Sequence, residues 1–388
     1  MLDNKGLLAR LNPCFQSDMN KTSCAPAPLG ARQHPQFRVS TKYTAARVLR
    51  TPQVSSRAAI AIKDHRLTRS KVPREPQFDA QSTAYLQDSF RAALPLPSHL
   101  DPGFEAALLH VLSNPGSMVR PRMVMRVASA YDLEAEAAHN LAFALEYFHT
   151  ASLIFDDLPC MDNAIERRGA PCVHVEFGEA SAILSALALI NRAYALIWRA
   201  VAACPEESRP EVMTYIENRL GVDGLLNGQS LDLHYFALPH TRETTERIAR
   251  GKTVSLIRLT LVLPAMLGAA PPREIQLLER IAVCWGLGYQ IIDDLKDVLQ
   301  GAAETGKTAA RDELLDRPNI ATAIGICGAV ERLEKLMRIG DQTLRNLLVH
   351  RPALSFLSGL RSDLEGELRQ VTESACDLAE EATARVRA

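Results

Sequence analysis

Long apolar runs are missing from these 388 residues: no stretch of about 18 uninterrupted apolar side chains occurs, so no membrane span is expected. The first ten residues, MLDNKGLLAR, also lack the apolar core of a secretory signal. Cysteine is sparse. The eight, at positions 14, 24, 160, 172, 204, 284, 327 and 376, form no CxxC pair and no metal-type spacing, which speaks against a zinc module or a disulfide framework. They read as reduced thiols in a reducing compartment such as the cytoplasm. Strand-like alternation is scarce after Glu75, and no 20–50-residue repeat is visible. The basic stretch described next carries only three aromatics, Phe15, Phe37 and Tyr43, and no nucleic-acid motif, so no nucleic-acid partner is expected.

Charge divides what is there. Up to Glu75 the chain carries 14 Lys and Arg against four Asp and Glu, a net of +10; the formal total of −1 leaves −11 for the rest. The basic stretch holds Pro13, Pro26, Pro28, Pro35, Pro52 and Pro73 and shows no helical period. Residues 1–78 are therefore read as a disordered basic extension, compatible with organellar targeting, and 79–388 as the folded domain.

Helical spacing dominates that domain. In LDPGFEAALLHVLSNPG, Asp101 stands at the N-cap, Pro102 opens the first turn, Phe104, Leu108, Val111 and Leu112 share a face, and Asn114-Pro115-Gly116 stops the helix. A longer run places Leu141, Leu145, Phe148, Ser152 and Phe155 at spacings of four and three. Helices without strands imply an all-α bundle.

Two acidic clusters follow apolar helices. In YQIIDDLKDVL, Asp293 and Asp297 are four apart, about 400° of rotation, and so share a face with Asp294 beside them. Like charges at that spacing destabilise a helix, so a cation is expected to offset them. Oxygen ligands without nearby His or Cys suit a hard ion such as Mg²⁺. In SLIFDDLPCMDN, Asp157 and Asp162 are five apart and would diverge on an ideal helix. Pro159 predicts that the helix ends or kinks there, letting Asp162 swing back toward Asp156.

From about Asp79 onward, DDLPCMDN…RRGAPCVHVEFGEA together with GLGYQIIDDLKD resembles the short-chain trans-polyprenyl diphosphate synthases. The resemblance implies an isoprenoid-synthase type helical bundle around a central apolar cavity, acting as a homodimer on isopentenyl diphosphate and allylic diphosphates. It implies Mg²⁺, three ions with the allylic diphosphate bound, held by Asp156, Asp157, Asp162, Asp293, Asp294 and Asp297. Arg167 and Lys307 match the family's residues for the allylic diphosphate, and Arg168 matches that for isopentenyl diphosphate. GQSLDL (228–233) and GKTVSL (251–256) resemble two further segments, the second placing Lys252 on the diphosphate and Thr253 near the developing cation; Gln290 matches a glutamine before the second motif.

The early GGKxxRP pattern departs. Here NPGSMVRPR keeps Arg120 and Pro121 but has Ser117 at the lysine, leaving Arg122 or His174 as candidates to replace it. Leu187 likewise stands where an aspartate is common. An intact DDLKD argues against a terpene cyclase. Ser117 leaves a noncatalytic partner subunit as an alternative.

In this family the growing chain runs beside the helix leading into the first motif, where a bulky residue acts as a floor. Positions 151 and 152 are the small Ala151 and Ser152; the next bulky ones, Phe148 and Tyr147, lower the floor by roughly 4.5–6 Å. That implies geranylgeranyl diphosphate (C20), with farnesyl diphosphate (C15) as the alternative.

Overall fold

The computed structural model describes residues 80–303 and 317–371, with side chains from Thr83 to Leu299 and from Arg317 on. Lys307 and the boundary of the basic extension lie outside the described residues. The described ones are almost entirely helical: α1 (Ala80–Ala92), α2 (Pro102–Ser113), α3 (Val119–Ala130), α4 (Ala135–Asp156), α5 (Val173–Ala202), α6 (Arg209–Leu220), α7 (Leu225–Leu233), α8 (Arg242–Ala249), α9 (Ser255–Leu267), α10 (Pro272–Ala303), α11 (Ile320–His350) and α12 (357–371). A five-residue π-turn, Arg250–Val254, joins α8 to α9.

Local chemistry sets these boundaries as the sequence suggests. Asp101 caps α2 by accepting from the Phe104 amide at 2.9 Å, and Pro102 occupies the first turn. α5 and α11 each kink at a glycine with positive φ, Gly178 at 82° and Gly325 at 77°, a conformation that L side chains rarely adopt.

α4 is the central element. Every residue from Leu141 to Phe148 is buried, so the expected single apolar stripe has become burial all round. Its neighbours α3, α5 and α9 complete one half of the core. α10 and α11 pack along each other with α9 and α12 in the other half, around Leu287, Ile291, Leu295 and Leu333. The two acidic motifs sit on α4, in one half of the core, and on α10, in the other.

α5 bears on the expected absence of a membrane span. Its Glu179–Ala202 stretch is long and apolar enough, by length and composition, to cross a membrane, with a mean hydropathy of 1.6. Scattered polar residues such as Asn191 and Arg192 hid it from a search for uninterrupted runs. Ala182, Ala186, Leu189, Ala193 and Ile197 lie in the core, while Leu184, Leu187, Tyr194 and Trp198 are exposed.

Candidate active site

The first acidic cluster forms where α4 stops. Asp157 is its C-cap, and the chain then folds back: the Asp162 amide donates to the Asp156 carbonyl at 2.8 Å and the Ala164 amide to the Asp157 carbonyl at 3.1 Å. The turn expected at Pro159 is therefore present, and it returns Asp162 to the end of α4.

The three aspartates have different surroundings. Asp156 Oδ1 accepts from Gln229 of α7 at 2.7 Å. Burial pushes the Asp156 carboxyl up to about 6, helped by Asp162, Asp232 and Asp157 and opposed by Lys252. Asp162 accepts from Arg317, whose other nitrogen reaches Asp232 at 3.2 Å. Asp157 is buried, and its Oδ1 takes both Nε and Nη2 of Arg167, at 3.0 and 2.6 Å. It orients an arginine.

Lys252 is delivered by the π-turn. Its Nζ donates to Asp232 Oδ2 at 2.9 Å, and although burial works against the ammonium, Asp156 and Asp232 outweigh it and raise its pKa. The next residue, Thr253, donates to Gln290 Oε1 at 2.8 Å, and Gln290 Nε2 donates to Asp294 Oδ1 at 2.9 Å. This geometry needs α7 and the turn in backbone contact. A Cβ on Gly228 would lie 2.3 Å from the Lys252 amide nitrogen, so only glycine fits there.

In the second cluster the structure separates Asp294 from its companions. It is 3% exposed, and its Oδ2 accepts from the Ile320 amide at 2.7 Å, tying α10 to the start of α11. Burial pushes its carboxyl up to about 7 against those hydrogen bonds. Asp293 is exposed and Asp297 half-buried. The six equivalent-looking aspartates are held differently: Asp294 has both carboxylate oxygens engaged, by Gln290 and the Ile320 amide, whereas Asp156, Asp157 and Asp162 each accept on Oδ1, from Gln229, Arg167 and Arg317. Among the described residues no three His, Cys, Asp or Glu side chains converge on one point.

A basic group adjoins them. Arg167 and Arg168 sit on a two-strand hairpin, Glu166–Arg167 with Ala170–Pro171, turned by Arg168 (φ 56°) and Gly169 (φ 77°). The strand end directs Arg167 to Asp157, and the left-handed turn directs Arg168 to the Asn114 carbonyl at 2.9 Å, with Glu146 at 3.9 Å. Glu146 is 2% exposed on α4, and the charges of Arg120 and Arg168 act on it. Burial, then these arginines and Arg167, holds His149 well below the usual range and keeps it neutral. Arg120 also acts on Tyr289, as does Asp293, linking the basic group to the second acidic cluster. A cavity of about 50 Å³ opens between Thr150, Asp157, Arg167 and Arg168.

The residues proposed to replace the missing lysine are placed unevenly. Arg122 donates to the Ser117 carbonyl and to Thr83, which anchors it to local backbone and α1. His174 Nδ1 is buried without a hydrogen-bond partner among the described residues. On the chain-length side, Ala151 is buried; Tyr147 is committed to α1, donating to the Phe90 carbonyl at 2.6 Å, and Phe148 meets Tyr194 of α5 edge-on at 5.1 Å.

Sequence reasoning missed Gln229, Asp232, Arg317, Glu146 and His149. Asp232 and Gln229 lay in a segment already singled out, GQSLDL, and Glu146 is a carboxylate inside an apolar run, itself a signal. Arg317 stands just before α11 in a stretch without periodicity, and nothing local marked it.

A bundle with a carboxylate-rich helix end on α4, another cluster on α10 and buried cations between defines a diphosphate-handling helical enzyme class. Residues 101–343 match the family model described as polyprenyl synthetase. The chain belongs to that family, and the reading as a prenyltransferase of isoprenoid-synthase fold stands. Geranylgeranyl pyrophosphate synthase 9, chloroplastic, of Arabidopsis thaliana is 34% identical over 245 residues, 62% of this chain and 68% of that protein. Geranylgeranyl diphosphate synthase of Pseudescherichia vulneris is 34% identical over 59% of this chain and 74% of its own length. Among solved structures, geranyltransferase from Helicobacter pylori, complexed with magnesium and isoprenyl diphosphate, superposes with a TM-score of 0.60 at 25% identity, covering 77% of this chain and all of that one.

Proposed function

We propose that the protein condenses isopentenyl diphosphate with allylic diphosphates, head to tail, and releases mainly geranylgeranyl diphosphate. The observation that carries this reading is the chain of contacts that links the two acidic motifs: Asp156 and Asp232 act on Lys252, its neighbour Thr253 donates to Gln290, and Gln290 donates to Asp294. The names of the similar proteins favour the C20 product.

The donor set suits Mg²⁺: carboxylate oxygens only, split between two clusters, so that substrate oxygens and water complete the coordination. Asp156, Asp157, Asp162, Asp293, Asp294 and Asp297 are the residues that would hold Mg²⁺, and the ion would supply charge neutralisation for the departing diphosphate. Three ions per bound allylic diphosphate fit the two-cluster layout. Lys252, Arg167 and Arg317 add fixed positive charge on the same side, and Lys307 is assigned there too. Arg120, Arg168 and His174 are assigned to isopentenyl diphosphate; neutral His149 can donate without adding charge. Thr253 and Gln290 line the path to the reacting carbons. The leaving diphosphate removes the final proton, so no Ser-His-Asp set is required.

A homodimer is part of this proposal. Leu184, Leu187, Tyr194 and Trp198 form an exposed apolar stripe on α5, 49–65% accessible, and Leu187 falls within it. A second protomer would cover it; Leu187→Asp with Trp198→Glu should then yield monomer in analytical ultracentrifugation. Residues 1–78 are assigned as an extension dispensable for catalysis in a cytoplasmic enzyme, and a fluorescent fusion that enters an organelle would reassign them to targeting.

The test is direct. Labelled isopentenyl diphosphate with each allylic starter and Mg²⁺ should give C20 product. Asp156→Ala and Asp293→Ala should each lower turnover by orders of magnitude while helical circular dichroism persists. Full activity in excess EDTA would refute the metal reading, and absence of turnover in all mixtures would favour a noncatalytic subunit.

A further inference from the structure

Away from the aspartates, cations gather around the other part of the π-turn. A pocket of about 340 Å³ opens there, lined by Arg242, Glu243, Glu246 and Arg247 of α8, Arg250 of the turn, and Arg332 and Lys335 of α11. Five cations against two carboxylates leave a formal excess of +3.

Glu246 organises this pocket. Only 12% of its side chain is accessible; Arg332 forks onto it at 2.6 and 2.9 Å, and Arg242 and Arg250 each stand 4.0 Å away. One carboxylate thereby holds three guanidinium groups, too few negative charges to satisfy them. Glu243 turns outward to Arg242 and is 70% accessible. Arg247 and Lys335 line the same opening, and neither forms an ion pair among the described residues. Like charges so concentrated repel one another, and guanidinium forks held in advance suit the oxygens of a multiply charged phosphate better than a single carboxylate.

We propose that this pocket is a second anion site, taking a diphosphate-sized, phosphate-class polyanion at the turn that also delivers Lys252. Arg250 and Lys252 are two residues apart in one π-turn, so a ligand on Arg250 bears on the backbone that positions Lys252. The binding claim does not rest on the metal reading, because it concerns residues outside the aspartate clusters and is measured without metal.

Inorganic diphosphate is titrated calorimetrically into the full-length protein in excess EDTA at low salt. Saturable binding is expected, weakened about tenfold or more in Arg247→Ser/Lys335→Ser and by raised salt. Turnover with Mg²⁺ should persist in that variant, since neither residue belongs to the catalytic site. Arg247→Lys, which keeps the charge, should retain binding, and melting curves confirm that each variant folds. In a parallel arm, vesicles carrying phosphomonoester headgroups are compared with neutral ones. Variant-sensitive binding of free diphosphate assigns a soluble anion, and variant-sensitive sedimentation with the charged vesicles alone assigns a headgroup. No binding of either probe up to about 10 mM phosphate groups, equal affinity in the double variant, or loss of turnover together with binding would overturn the proposal.

Discussion

Gly228→Ala tests the link between packing and chemistry most directly. The added methyl would meet three backbone atoms: the Lys252 amide nitrogen at 2.3 Å, Gly251 carbonyl carbon at 2.5 Å and Gly251 Cα at 2.7 Å. Ordinary contact begins near 3.4 Å, so α7 and the π-turn must part by about 1.1 Å. Side-chain rotation cannot relieve a clash with backbone. Alanine would favour the helix by about 1 kcal/mol, but overpacking of this kind costs about 1–3 kcal/mol. The balance is a loss of up to about 2 kcal/mol, lowering melting by up to about 8 °C at about 2–4 °C per kcal/mol. The larger effect is on rate. The Lys252–Asp232 pair spans the widened gap, and the Thr253–Gln290 bond hangs on the turn that is pushed away from α7; a displacement of about 1 Å can cost on the order of 100-fold in kcat. Steady-state kinetics with Mg²⁺ and calorimetric melting measure both. Gly359→Ala, at an α12 position with nothing within 4 Å of the new methyl, is the control and should leave kcat unchanged. If Gly228→Ala matches wild type in both kcat and melting temperature, the close approach does not hold Lys252 in place.

Tyr147→Phe leaves the Phe90 carbonyl without its buried donor and should destabilise by about 1–3 kcal/mol, read as a lower denaturant midpoint; an unchanged midpoint would mean that α1 is not docked through this bond. Arg317→Ala removes the partner of Asp162 and Asp232, so the EDTA-treated protein should melt lower and gain more from added Mg²⁺ than wild type; equal gains would show that Arg317 and the metal do not serve the same charges. Ser117→Lys should lower KM for isopentenyl diphosphate more than for the allylic substrate, and an unchanged ratio would place another cation on that phosphate. Ala151→Tyr should shorten the product to C15 and Phe148→Ala lengthen it, both read by chromatography of the dephosphorylated products; wild-type arrest at C15 would refute the floor assignment.

Much of the architecture was legible because helical period, caps and stops are properties of neighbouring residues. Asp101-Pro102 starts α2 and Pro159 ends α4 through local backbone chemistry, so sequence alone determined these elements, the all-helical class and the two acidic clusters. It did not determine which partner holds each aspartate. Asp156 and Asp157 are adjacent and chemically identical, yet a hairpin ten residues on brings Arg167 to one, and α7, more than seventy residues on, brings Gln229 to the other. Asp294 is separated from Asp293 because α11 starts against its carboxylate. The pairing of Arg317 with Asp162 and Asp232, across 155 and 85 residues of chain, likewise has no local signature. Spacing states which residues share a helix face. Only tertiary packing decides which neighbour meets that face, and in a buried cluster the neighbour sets charge, hydrogen bonding and role.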